Sequence, residues 1–195
     1  MIACINPFSA LEGLSRRRFL VGSGATLSAA AVALMAGRPV LAAAQAGKQD
    51  DTESDVRILN TALSAELEAI AAYAVGAGSG LLQKPALDLA LQFQGHHKEH
   101  ADALARTVRK LGGTPAEARE RYVFPTDKLK SQADVLGFAA GLERGAVSAY
   151  LGAVPLFHGR ELASAAASIL ADEAMHWAIL RQALGQDPVP TAFLS

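Results

Sequence analysis

Thiols are nearly absent from this sequence, whose single cysteine, Cys4, lies close to its start. Disulfide frameworks and thiolate metal sites are therefore excluded for the rest of the chain, and any bound metal must be held by oxygen and nitrogen. Aromatic residues are scarce at 6%, while alanine is abundant, which favours helices packed closely through small side chains. Charged residues make up 19% against 51% hydrophobic, enough apolar material for a packed core and too little charge for a disordered chain. The net charge of -1 conceals a basic start: Arg16, Arg17, Arg18 and Arg38 face only Glu12 within residues 1–44. The remainder is acidic, with no basic stripe to serve as a nucleic-acid footprint.

Residues 1–44 read as a targeting segment. Ser15-Arg16-Arg17-Arg18-Phe19-Leu20 precedes an uncharged stretch from Phe19 to Gly37, and Ala42-Ala43-Ala44 offers a cleavage site. The pattern resembles a twin-arginine export signal. It implies a periplasmic mature chain beginning near Gln45 and the twin-arginine translocase as a transient partner. That route carries folded proteins, often with a cofactor already inserted. An uncleaved signal anchoring the chain in a membrane is the alternative, although the stretch is rich in Gly, Ala, Ser and Thr and weakly hydrophobic for a span.

After a polar arm at 45–54, four helices are expected, with residues 55–188 forming one bundle domain. The first runs from Asp55 to about Val75 and stops at the Gly76–Gly80 run. Pro85 opens the second, which reaches Leu111 before Gly112-Gly113. Residues 114–130 form a long connection with a short helical turn at Pro115–Arg121. The third helix spans Gln132–Ala153 ahead of Pro155, and the fourth runs from Gly159 to Leu184, stopped by Gly185 and Pro188. Residues 189–195 form an extended tail. Short turns join the first helix to the second and the third to the fourth, while the middle join is long enough to cross the bundle.

The two halves echo one another. Glu66-x-x-Ala69-Ile70-x-Ala72-Tyr73 matches Glu143-x-x-Ala146-Val147-x-Ala149-Tyr150, 77 residues later. His97-x-x-His100-x-x-x-Leu104 matches Glu173-x-x-His176-x-x-x-Leu180, 76 residues later. Each half is thus a helical hairpin with a carboxylate on its first helix and an i, i+3 pair on its second. Leu59, Glu66 and Tyr73 share one stripe, as do Leu136, Glu143 and Tyr150. His97 lies between Ala90 and Leu104, His100 between Phe93 and Thr107, Glu173 between Ala166 and Leu180, and His176 between Ile169 and Ala183. Six polar groups therefore interrupt apolar stripes at mid-helix, whereas Glu68 points elsewhere.

Converging carboxylates in a core need protonation, a Lys or Arg partner, or a metal. No Lys or Arg shares these stripes near the cluster, so a cation is the economical solution, and imidazole beside carboxylate suits Fe, Mn or Zn. Taken singly, either histidine of the second helix would be an ordinary core or surface residue; their register opposite Glu173 and His176 makes them candidate ligands. His96, four before His100, is the substitute for His97. Tyr73 and Tyr150 are read as core residues whose hydroxyls could also bond a ligand carboxylate, and His158 as a cap or solvent residue in a turn.

These residues resemble the ferritin-like di-iron or di-manganese carboxylate superfamily. The segment Glu66-Leu67-x-Ala69-Ile70-x-x-Tyr73 is similar to the bacterioferritin version, and the third-helix segment with the exported origin to periplasmic ferritin-like domain proteins. The resemblance implies an all-α four-helix bundle with one long crossover between helices 2 and 3. It implies Glu66 and Glu143 as terminal carboxylates, Glu173 as a bridge, and His100 and His176 as the imidazoles of a one- or two-ion site. His97 stands where the family has its other bridging glutamate. Three glutamates leave about one positive charge of two divalent ions uncancelled. An imidazole nitrogen has one coordinating lone pair where a carboxylate spans two ions, so His97 is expected to serve a single ion and the second ion to bind weakly or not at all. Three functions remain open: a metal-dependent oxidase or metal-handling protein meeting oxygen or peroxide, a stress-protective bundle with a structural or degenerate site, and a cage-forming iron store. The third ranks last, since nothing marks a self-associating surface; oligomerisation is left open.

Overall fold

The computed structural model describes residues 48–194, with side chains from Asp51 onward, so the expected targeting segment of residues 1–44 lies outside the described residues. Four α-helices and no strand occur among them: α1 (Lys48–Gly78), α2 (Lys84–Lys110), α3 (Gln132–Ala153) and α4 (Arg160–Ala183). Local sequence sets most of the ends. Pro85 sits in the first turn of α2, and Arg109 and Lys110 in its last turn suit the negative end of the helix dipole. Ser131 caps α3 by accepting the backbone N–H of Asp134, whose carboxylate accepts the N–H of Lys130 in return. Gly112, at φ +83°, closes α2 in a conformation that only glycine adopts without strain. The next residue, Gly113, lies so close to α1 that an added Cβ would meet Val56 Cγ1 at 2.6 Å.

One boundary departs from expectation. Residues 48–54 are helical, so the anticipated loose arm is the first two turns of α1. The reason is tertiary. Ser54 is fully buried, and Asp55 accepts the backbone N–H groups of His158 and Gly159 at the start of α4. Gly159 has no side chain with which to cap its own helix, so the α1 carboxylate accepts the N–H of this N-cap residue and of the one before it and ties down the beginning of α1. The turn expected at 115–121 is also absent; the connection's helical turn is a 3-10 element at Thr126–Lys128. Asn60 anchors the connection instead, donating to Thr114 O and accepting from the N–H of Ala116.

Antiparallel hairpins α1/α2 and α3/α4 pack together as an up-down-down-up bundle. Ile58 near the start of α1 meets Ala149 and Ala153 near the end of α3, whereas Gly76 at the end of α1 faces Val135 at the start of α3. The connection from 111 to 131 therefore crosses the length of the bundle, as the sequence anticipates. The core lies mainly in two clusters on either side of the midplane, with the smaller Ile58, Ala149 and Ala153 group as a third. Leu59, Leu63, Leu104, Val108, Tyr150 and Ile169 make one, while Tyr73, Phe93, Leu136, Trp177 and Leu180 make the other. Each large buried apolar side chain contributes about 1.5–3 kcal/mol. Between the clusters lies a layer of buried polar groups.

Candidate metal centre

All six expected residues meet in that layer. Glu66, His97, Glu143, Glu173 and His176 are at most 3% exposed, and His100 is only slightly more open. The heptad stripes place them: each lies between small or mostly apolar residues two turns above and below, so its helix cannot bury one face without burying the polar group too.

A pseudo-two-fold relation organises the contacts. Tyr150 of α3 donates its hydroxyl to Glu66 Oε1 of α1 at 2.6 Å, and Tyr73 of α1 donates to Glu143 Oε1 of α3. Each tyrosine thus fixes the carboxylate of the other half, and both phenols are pushed well above their ordinary pKa by burial and by that carboxylate. The partner role left open for both tyrosines is the one they have. On the second helices, His97 corresponds to Glu173 and His100 to His176.

His97 lies at the centre and faces both ways. Its Nδ1–H donates to Glu66 Oε2 at 2.8 Å, and its Nε2 lies 3.3 Å from Glu143 Oε1. His97 is expected from its single lone pair to serve one ion, and its two ring nitrogens address different halves of the cluster. Glu173 does the same with its oxygens: Oε1 lies 3.1 Å from His100 Nδ1, and Oε2 lies 3.5 Å from His176 Nδ1. Two overlapping quartets result, Glu66/His97/His100/Glu173 and His97/Glu143/Glu173/His176, each compact enough to hold one metal ion.

Charge is balanced without any Lys or Arg. Among the described residues the ion-pair partners of these carboxylates are histidines, a compensation that the sequence argument left out. Burial disfavours ionisation of Glu66, but the hydrogen bond from His97 and the nearby His100 imidazole outweigh it and hold the acid at about 2. Glu143 is depressed further for the same kind of reason, through Glu173, His176 and His97. Burial, aided by neighbouring Glu143, instead raises Glu173 to about 7. Burial opposes the charged imidazoles as well. The carboxylates prevail, lifting His100 to about 10, His176 to about 9, and His97 well above its usual value.

Even so, hydrogen bonding is incomplete. Glu143 Oε2, both oxygens of Glu173, His100 Nδ1 and His176 Nδ1 are buried and have no hydrogen-bond partner. Five orphaned polar atoms in one small space are costly, and all of them belong to the two quartets. Their donor set of carboxylate oxygen and imidazole nitrogen fits a first-row divalent ion.

Two further residues belong to this layer. Asp172 Oδ2 lies 3.3 Å from His100 Nε2 and 3.2 Å from His176 Nε2, so one carboxylate flanks the outer nitrogen of both rings, whose Nδ1 atoms face Glu173. The sequence reading missed it, although extending the internal match by one residue would have found it: Asp172-Glu173-x-x-His176 aligns with His96-His97-x-x-His100. His96 takes the outer position, with Nδ1 2.8 Å from His176 Nε2 and 3.3 Å from Asp172 Oδ2, and is therefore no substitute for His97. His158 lies at the far end of the bundle beside Asp51 and Asp55, half-exposed as expected of a turn residue. An apolar recess, unreadable from sequence, lies among the four helices, lined by Tyr73, Ala86, Ala90, Leu136 and Leu180 among others.

A model of the ferritin-like domain family matches residues 54–186. Comparison with curated proteins finds no significant match. Among solved structures, the chain is similar to a conserved hypothetical protein from Mycobacterium tuberculosis, with a TM-score of 0.64 and 22% identity over 73% of this chain and 99% of that one. It is also similar to a ferritin-like, diiron-carboxylate protein from Bacillus anthracis, with a TM-score of 0.60 and 22% identity over 69% of this chain and 97% of the other.

Proposed function

Since the chain belongs to the ferritin-like domain family, we propose that its central cluster holds one or two ions of iron or manganese, with zinc as competitor, for metal or oxidative-stress handling in the periplasm. The observation that carries this reading is the set of five orphaned atoms, which a divalent ion would satisfy at once. Glu66 and His100 would hold one ion and Glu143 and His176 the other, with Glu173 between them. The diiron-carboxylate description of the similar Bacillus anthracis protein points the same way. Bound there, such ions supply redox and Lewis-acid chemistry toward oxygen or peroxide. The chain's own contribution is orientation and dryness. Tyr150 and Tyr73 each immobilise one carboxylate oxygen, the Asp172 carboxylate flanks two imidazoles, and the apolar clusters above and below exclude water. The apolar recess has Tyr73, the partner of Glu143, in its lining, and a small uncharged reactant would approach from that side.

Export rests on Ser15-Arg16-Arg17-Arg18-Phe19-Leu20. Replacing Arg16 and Arg17 by Lys should leave unprocessed chain in the cytoplasm, and unchanged periplasmic recovery would refute the route. A second reading, a structural bundle that needs no metal, is favoured by the histidines that already neutralise the carboxylates. Metal analysis of protein purified after native export separates the two. Bound iron or manganese near one or two per chain, lost in Glu66→Ala and Glu173→Ala, supports the metalloprotein. Metal-free protein that takes up none of these ions and gains no thermal stability from them establishes the structural bundle.

A further inference from the structure

His97 is the residue by which this chain departs most from a four-glutamate site, and its setting is that of a bridge. The pseudo-two-fold relation pairs it with Glu173, and the two share one property: each turns one donor atom toward each half of the cluster. Glu173 Oε1 approaches His100 Nδ1 and its Oε2 approaches His176 Nδ1. His97 Nδ1 approaches Glu66 Oε2 at 2.8 Å and Glu173 Oε1 at 3.6 Å, while its Nε2 approaches Glu143 Oε1 at 3.3 Å. The ring is 1% exposed and packed against Tyr73, with ring centroids 5.2 Å apart, so its orientation is held by the core.

Resting on the metalloprotein reading above, we infer that His97 bridges a pair of divalent ions, Nδ1 bound to the ion beside Glu66 and His100, and Nε2 to the ion beside Glu143 and His176. Forming the two metal–nitrogen bonds displaces the protons of both ring N–H groups to solvent, and no electron is transferred. The ring left behind carries one negative charge. With Glu66, Glu143 and Glu173 it brings the ligand charge to minus four, which matches two divalent cations and removes the deficit that substituting a glutamate by histidine otherwise creates. The chain would thereby keep a doubly bridged pair while replacing one carboxylate bridge by an aromatic one.

A shared ligand and a one-sided ligand differ in what their removal does. Zinc and copper(II) titrations of the native chain, His97→Ala, His97→Glu, His100→Ala and His176→Ala make the comparison, with metal content and copper electron paramagnetic resonance as readouts. The native chain should bind two ions and show exchange coupling between two coppers. His100→Ala and His176→Ala should each lose one ion and retain the other. His97→Ala should weaken both, by about 10–100-fold or more each. His97→Glu, which restores a two-ended anion, should again hold two ions but lose the nitrogen hyperfine pattern of a shared imidazole. Circular dichroism in chelator identifies a variant that fails to fold, in which case the native and His97→Glu spectra alone decide. Full retention of one tight ion in folded His97→Ala, or a native copper pair without exchange coupling, overturns the bridge and leaves the metalloprotein reading standing. A native chain that binds neither metal overturns both.

Discussion

Replacing Glu173 by Gln should separate the cost of the cluster from its use. Glu173 is 0% exposed, and neither of its oxygens has a hydrogen-bond partner. Burial and the nearby Glu143 raise its acid from 4.5 to about 7. The folded chain therefore binds a proton there that the unfolded chain releases near 4.5. Stability from this group is complete below that value and is lost as pH rises through about 7. The gap of about 2.5 pH units, at about 1.4 kcal/mol each, amounts to about 3 kcal/mol. Gln keeps the shape and the donor of the protonated acid but does not titrate. Urea unfolding of metal-free native and Glu173→Gln protein at pH 5 and pH 8 isolates the effect, because constant packing differences cancel between the two conditions. The variant should gain about 3 kcal/mol on the native chain between those pH values. Adding metal should reverse the order, since a neutral amide cannot span two cations. A stability difference unchanged between pH 5 and pH 8 would refute this account of the charge in the cluster.

Metal loading should release about four protons per chain near neutral pH, two from a bridging His97 and one each from His100 and His176, because all three rings are held protonated in its absence. Calorimetry in buffers of different ionisation enthalpy counts them, and a count below one would contradict the charged-imidazole arrangement. Without metal, the stability from His176 and His100 should be complete below pH 6.5 and fall away as pH rises through about 9 and about 10. Asp55→Ala should cost about 1–2 kcal/mol in urea unfolding through loss of the acceptor at the start of α4, with metal stoichiometry unchanged; an effect on metal content would place Asp55 in the site instead. Tyr150→Phe should destabilise the metal-free chain by about 1–3 kcal/mol, by stripping Glu66 Oε1 of its partner, and Tyr73→Phe by less, since Glu143 Oε1 keeps His97 Nε2. Thermal unfolding indistinguishable from native in both would show that the cross-bundle hydrogen bonds carry no net stability.

Much of this molecule is written in short-range periodicity. Helix stops depend on Gly112, Pro155 and Gly185, local steric facts readable wherever they occur. Heptad spacing alone puts Glu66, His97, Glu143, Glu173 and His176 on apolar stripes, and a stripe that must be buried carries its polar members inward. The internal match at 76 and 77 residues adds the pairing of halves, from which the bundle and its crossover follow. Sequence periodicity, however, describes one helix at a time. It cannot say that Asp55 of α1 binds the start of α4, which is why the expected arm of 45–54 proved helical from Lys48 onward. Nor can it show that Tyr73 and Tyr150 each reach the opposite half, or that Asp172 flanks two imidazoles. The direction of His97 is the sharpest case. A heptad position states that a side chain points inward, but the rotation of a planar ring is set by neighbours on three other helices. Only their packing turns Nδ1 toward Glu66 and Nε2 toward Glu143.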